Sequence, residues 1–258
     1  MMPPTLLLVA PMLLSVWVVA TGPVRAQVPA DSALTVSAPG VRGLTIRLSG
    51  GLAGLALGDA AAFHEAVADA YVASGVPVPT QRSFAPGPHA GLDVLWTTSR
   101  RQGFGLGLRY ASTSAYSLYG DYAGTLDIVS TVSAVFLESV SVVELRPDGR
   151  ICPFLGSRGG TVFASSTTRE ALDLGEGGSA RAVTGGRGAG YSLEGFGGAT
   201  VAAGPVGLFV QAGYRYARVG RLSGEIRVDD MTVEEGQLPY ALNLSGWTGV
   251  VGLTVRRR

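Results

Sequence analysis

Lysine does not occur in this 258-residue chain, cysteine occurs once, histidine twice, and charged residues make up only 15% of the total. Each scarcity excludes something. A lone cysteine, Cys152 beside Pro153, cannot form an intramolecular disulfide and reads as a small apolar strand residue. The 20 basic residues all are arginine and stand against 19 acidic ones, so the chain lacks the charge excess that a nucleic-acid partner requires. Beyond residue 26 there is no long apolar run, and any membrane residence of the mature chain must come from strands rather than helices.

The N-terminus does carry one apolar stretch, Thr5 to Ala20, followed by Val24-Arg25-Ala26 and Gln27. This is the pattern of a secretory signal cut after Ala26, although no Lys or Arg precedes the apolar stretch. An uncleaved anchor is the competing reading, disfavoured by the shortness of the run. The organisation expected is therefore a signal at 1–26, an N-terminal periplasmic segment at 27–42 and one domain at 43–258.

What the chain has in abundance is alternation. Phe104, Leu106, Leu108 and Tyr110 share one parity, with Gly105, Gly107 and Arg109 on the other. Leu44, Ile46 and Leu48 alternate with Thr45, Arg47 and Ser49; Leu92 and Val94 flank Asp93. Val206, Leu208, Val210, Ala212, Tyr214 and Tyr216 alternate with Gly207, Phe209, Gln211, Gly213 and Arg215, and Trp247, Val251, Leu253 and Val255 with Thr248, Gly252 and Thr254. Weaker strands are read at Leu126 to Arg146, Ile151 to Phe163 and Phe196 to Ala203. In the first of these Val135, Leu137, Val143 and Leu145 face outward and Glu138 and Glu144 inward, with Phe136, Val140 and Val142 sharing the inward parity.

Tight turns at Ser99 to Gly103, Pro147 to Arg150 and Ala203 to Pro205 alternate with long connections at Gly58 to Pro88, Ser112 to Gly124, Ala164 to Glu194 and Val219 to Asn243. A sheet with such unlike ends, a mean hydropathy of +0.31 and 38 glycines reads as all-β: an eight-stranded antiparallel up-and-down transmembrane β-barrel with short periplasmic turns and long extracellular loops. Its solvent would be the lipid bilayer of the outer membrane. A barrel of about eight strands is filled by its own side chains. Arg47, Arg109, Arg158 and Arg215 are expected to meet Asp93, Glu138 and Glu144 across the lumen, with Gln211 among them, because an unpaired charge there costs several kcal/mol. The set reads as a closed plug, with a narrow polar pore as the alternative. Trp96 near a tight turn, and Tyr110, Tyr214, Tyr216 and Trp247 near the long-loop rim, are the candidate aromatic girdle.

Within the first long connection, Asp59 to Ala73 has helical periodicity, with Ala62, Phe63, Ala66, Val67, Ala70 and Tyr71 on one stripe and His64, Glu65 and Asp69 off it. It reads as a cap on the rim. Glu225, Asp229, Asp230, Glu234 and Glu235 lack the spacing of a metal loop. His64 or His89 with Ser112 or Ser114 would be the raw material for a rim-sited lipid-modifying enzyme, but no spacing selects a catalytic set. Gly185, Gly186, Gly188 and Gly190 lack the ending of a phosphate loop and read as flexible loop. No catalytic, cofactor or metal residues are assigned, and a soluble barrel binding a small ligand is disfavoured by the missing apolar interior.

Gly204-Pro-Val-Gly-Leu-Phe-Val-Gln-Ala-Gly-Tyr-Arg-Tyr216 and Arg150-Ile-Cys-Pro-Phe-Leu-Gly-Ser-Arg-Gly-Gly160 resemble the penultimate and fifth strands of the small bacterial outer-membrane β-barrel proteins of the OmpA, OmpX and OmpW types. The resemblance implies outer-membrane residence, insertion by the barrel-assembly machinery, and an inward acid and base on the penultimate strand. Here Gln211 stands at the acidic position, which leaves open which acid partners Arg215, and the chain closes on Val255-Arg256-Arg257-Arg258 rather than on an aromatic residue.

Overall fold

Residues 43–79, 84–98, 101–121, 124–147, 149–175, 178–229 and 231–257 are described by the computed structural model, so the signal expected at 1–26 and the periplasmic segment expected at 27–42 lie outside the described residues. The strands are β1 (Gly43–Ala53), β2 (Gly87–Thr97), β3 (Gln102–Asp121), β4 (Gly124–Glu144), β5 (Ile151–Asp173), β6 (Ser179–Ala203), β7 (Val206–Val228), β8 (Met231–Asn243) and β9 (Gly246–Arg257). Helix α1 (Gly58–Ala73) lies between β1 and β2. Successive strands pair antiparallel, β7 pairs with both β8 and β9, and β9 returns to β1, closing a ring.

Nine strands make eight staves. β9 pairs with Val206–Arg215 of β7 and β8 with the stretch from Arg218 onward, so the two are halves of one descending stave. At the break, the Leu244 N–H donates to the Ala217 carbonyl at 2.9 Å and the Ser245 hydroxyl accepts from the Ala217 N–H at 3.1 Å. The backbone ladder is bridged by a side chain where a residue pair is lost.

Three of the long connections are largely not loops. β3 and β4 pair from Gln102↔Val143 up to Asp121↔Gly124, β5 and β6 from Ile151↔Val201 up to Asp173↔Ser179, and β7 meets β8 up to Val228↔Met231. The Gly185 to Gly190 stretch is strand as well. Beyond the apolar belt water solvates a polar outward face, so Ser, Thr, Gly and Arg continue the ladder without the apolar signature that marks its lower part.

Along the lower part, outward rows are apolar and exposed: Leu106, Leu108, Leu137, Leu155, Leu193, Leu208, Val210, Val251 and Leu253 among them. The inward parity is buried. Glycine makes room where the interior is most crowded: a methyl group at Gly252 would lie 2.1 Å from the Leu48 carbonyl oxygen and 2.6 Å from the Phe209 ring.

Candidate functional site

The interior is layered. At the tight-turn end Leu95, Val140, Val142, Phe154, Phe196, Phe209 and Val250 form an apolar cluster. At the opposite end a larger cluster includes Val132, Phe136, Val162, Val219, Leu222, Tyr240 and Leu244, with Phe63 packed against it. This corrects the expectation of an interior without a bulky apolar set: the inward parity of the strands already read supplies Val132, Phe136, Val140, Val142, Phe154, Phe196 and Phe209, and the upper stretch read as loop adds Val219, Leu222 and Tyr240.

Between the two lies a layer of charge. Arg109 Nη2 donates to both oxygens of Asp93 at 2.7 and 2.8 Å, and Arg109 Nε stands 3.7 Å from Glu138 Oε2. Arg158 donates to Glu194 at 3.0 Å, to Asp93 at 3.2 Å and to Gln211 Oε1 at 3.1 Å. Arg215 donates to Glu194 Oε2 at 2.6 Å, and Ser192 and Thr248 donate to Glu138 and Glu194 at 2.8 and 3.1 Å. Arg109, Arg158 and Arg215 thus balance Asp93, Glu138 and Glu194, and each of the six is no more than 2% exposed. Ring faces complete the enclosure, with the Arg158 guanidinium 3.8 Å from the Phe196 centroid and that of Arg215 3.9 Å from the Phe136 centroid.

Two of the expected lumen residues stand apart from this layer. Glu144 bonds Arg256 and lies 3.9 Å from Arg47, whose guanidinium covers Phe154 at 4.5 Å. Glu194 is the residue sequence reasoning missed. It lies on β6 within the stretch read as a loop, and it supplies the acid that Gln211 cannot give Arg215. The signal was the alternation Tyr191-Ser192-Leu193-Glu194, bulky outside and polar inside.

Of the candidate girdle, Tyr110, Tyr214, Tyr216 and Trp247 are exposed on the outer wall, with Tyr214 and Trp247 edge to face at 5.1 Å. Trp96 is half-buried against Phe104.

Helix α1 occupies the opposite mouth. There the ring no longer closes by strand pairing: β2 meets β3 only as far as His89↔Ala111, and β1 meets β9 only as far as Ala53↔Thr248. The helix packs within this gap, against β8, β3 and β4. Its buried line is Ala60, His64 and Ala68, with Phe63, Val67 and Tyr71 half-buried, whereas Ala62, Ala66 and Ala70 are exposed. The predicted stripe is thus rotated. His64 is on the inside because hydroxyls meet it there: Nδ1 lies 2.8 Å from Ser130 Oγ and Nε2 3.0 Å from Ser117 Oγ, with Ser130 also bonded to Thr168. Burial pushes this imidazole below its ordinary pKa. Phe63 packs on Tyr240 at 5.0 Å, and Tyr71 donates to Glu170 at 2.9 Å. Burial and that bond push the Tyr71 phenol up to about 12, and burial raises the Glu170 carboxyl.

Ser112 and Ser114 share the outward parity and meet neither histidine; Ser114 bonds Thr131 instead. His89 is buried on β2 beneath the mouth. Among the described residues no group of three or more His, Cys, Asp or Glu could hold a metal ion.

No protein-family model matches the chain, and no curated protein matches it in sequence. Solved structures do. Neisserial surface protein A matches at 14% identity, covering 82% of this chain and 96% of its own with a TM-score of 0.35. The outer membrane protein OprG from Pseudomonas aeruginosa matches at 12% identity, 85% and 99% coverage and a TM-score of 0.39. Ail, the attachment invasion locus protein of Yersinia pestis, matches at 10% identity, 83% and 97% coverage and a TM-score of 0.35. The similarity is one of strand layout, and the closed ring rests on this chain's own register.

Proposed function

We propose that the chain is an integral outer-membrane β-barrel with a closed lumen, that it has no enzymatic activity, and that it acts through the strand hairpins projecting beyond its apolar belt. The observation that carries this reading is the pairing of an exposed apolar outer wall with a neutral, buried ion-pair layer inside. Leu106, Leu137, Leu208 and Val251 are each more than half exposed, which in water would be an aggregation-prone surface and in lipid is a solvated one. Inside, salt bridges fill the cross-section where a pore would need water, and α1 covers the mouth beyond them. Surface interaction or a structural role then falls to the projecting β3–β4, β5–β6 and β7–β8 hairpins.

His64 is enclosed between hydroxyls and has no access to a substrate, which supports the non-enzymatic reading. A soluble ligand carrier would need the apolar rows turned inward. The test is fractionation followed by conductance: a heat-modifiable band in the outer-membrane fraction and no steady single-channel current in planar bilayers are expected. Recovery as a soluble periplasmic species would overturn the membrane reading, and a steady current would overturn the closed lumen.

A further inference from the structure

The outward face of β4 to β8 changes character abruptly where the apolar belt ends. One register row runs Tyr110↔Val135↔Phe163↔Ala189; the next, one pleat beyond, runs Ser112↔Ser133↔Ser165↔Arg187↔Ser223↔Gln237. Two open cavities follow this border. One, of about 500 Å³, is lined by Val135 and Phe163 of the belt together with Ser133, Ser165 and Arg187. The other, of about 940 Å³, rises from Ser165 and Arg187 along Thr167, Ser223 and Gln237 onto the β7–β8 hairpin. Ser165 and Arg187 line both, so the cavities form one groove that starts against apolar rings and ends among hydroxyls and amides.

The charges in the groove are arranged unequally. Arg227 and Glu225 neutralise each other at 2.5 Å in the upper part of the second cavity, where Glu235 of β8 stands opposite Glu225 in the register. Ser133 and Ser165 bond each other at 2.9 Å, but the guanidinium of Arg187 has no ion-pair partner among the described residues. An unpaired, forked cation at the exact junction of an apolar and a polar cavity has the geometry for a phosphate whose other end is a hydrocarbon chain.

We infer that this groove binds a phosphorylated glycolipid of the surrounding leaflet, its acyl chains on Val135 and Phe163, its phosphate on Arg187 and its sugar against the hydroxyl- and Gly-lined cleft above. The inference rests on the membrane reading above, because only lipid around the belt brings such a headgroup to the level of Arg187. Gly185, which shares the outward parity of Arg187, leaves room in the cleft: a methyl group there would come no nearer than 4.0 Å to Thr167 Oγ1.

The experiment uses the full chain refolded into phosphatidylcholine vesicles doped with a bisphosphorylated diglucosamine lipid, then extracted in mild detergent and weighed by native mass spectrometry. The wild type is expected to retain the doped lipid, and Arg187→Glu to retain it roughly tenfold less, the scale of one lost charge-assisted hydrogen bond. Ser165→Trp, which fills the junction without changing charge, is expected to lose it as well. Arg181→Glu, farther along the same strand, is expected to bind as the wild type does. Equal retention by Arg187→Glu and the wild type, equal retention of the dephosphorylated lipid, or no retention by inserted wild type would overturn the site. Failure of the wild type to give a heat-modifiable barrel in plain phosphatidylcholine vesicles would instead overturn the membrane reading and the site with it.

Discussion

The middle of the lumen and its outer mouth are filled by different means. In the middle, three arginines and three carboxylates on β2, β3, β4, β5, β6 and β7 are bonded across the cross-section, so most of the staves contribute to one network. At the mouth the staves no longer form a ring, and a separate helix fills the gap through one histidine between hydroxyls, one ring pair and one phenol–carboxylate bond. The difference teaches that the same problem, an eight-stave interior too wide for backbone alone, has a cooperative solution and a detachable one. Disturbing the first should destabilise the whole barrel. Disturbing the second should open only the mouth.

The largest effect is expected from Glu194→Ala. It removes one carboxylate from two guanidiniums, Arg158 and Arg215, and leaves both buried with weakened compensation. Breaking such a network by one partner costs about 3 to 5 kcal/mol. Urea unfolding of the refolded protein in vesicles, followed by heat-modifiable mobility, should show the midpoint falling for the entire barrel. A variant that unfolds as the wild type does would show that the layer is not the cooperative element.

Next in size is Phe63→Ala, which removes the ring that packs on Tyr240. For a half-buried ring the loss is about 1 to 3 kcal/mol, below the range for full burial. It should appear as faster proteolysis and amide exchange within Gly58–Ala73, with the barrel's unfolding midpoint unchanged. A matching fall in the global midpoint would erase the contrast between the two regions.

The inward parity of Arg47, Asp93, Arg109, Glu138, Arg158 and Arg215 follows from the period of two in the sequence, and the structure places all six inside. Glu194 escaped that logic because the strand was read only from Phe196 onward, although Tyr191 and Leu193 outside and Ser192 and Glu194 inside already alternate within the belt. Farther up, Gly, Ser and Thr read as loop only if the outward face must be apolar, and past the belt it need not be. The helix was legible and its orientation was not. Hydropathy ranks alanine above histidine for burial, but at the level of His64 the surface α1 meets presents Ser117 and Ser130, the latter bonded to Thr168, while Ala68 packs with Leu126 and Ile128, so hydrogen-bond complementarity and apolar packing together set which side turned inward. The interrupted eighth stave had no signal either, since Ser245 replaces a backbone partner with an ordinary hydroxyl.

A subtler effect is expected from acid. The docked helix holds His64 with its pKa lowered by burial, so the undocked state binds more protons once the pH falls below the ordinary value of 6.5. Docking is therefore fully stable above that value and weakens as the pH drops from it towards the lowered one. Glu170 works in the opposite sense, because burial raises its pKa: its contribution is complete below the ordinary carboxylate value of 4.5 and is lost as the pH rises through the raised one. The protection of the α1 amides, taken relative to their intrinsic exchange rate at each pH, should fall below pH 6.5 in the wild type and be flatter in His64→Gln, which keeps hydrogen-bonding groups but does not titrate there. Equal acid sensitivity in the two would assign it to another group.

The smallest effect should come from outside both regions. Arg227 and Glu225 form an ion pair at 2.5 Å with side chains 52% and 37% exposed on the β7 projection. Exposed pairs contribute about 0 to 1 kcal/mol, because water already solvates each charge and holding two long side chains together costs entropy. Arg227→Ala should leave both the global midpoint and the exchange of α1 where they are. A loss comparable to that of Phe63→Ala would mean that the projecting sheet helps to hold the helix in the mouth, and the boundary between the cooperative and the detachable parts would then lie beyond α1, within the β7–β8 hairpin that packs against it.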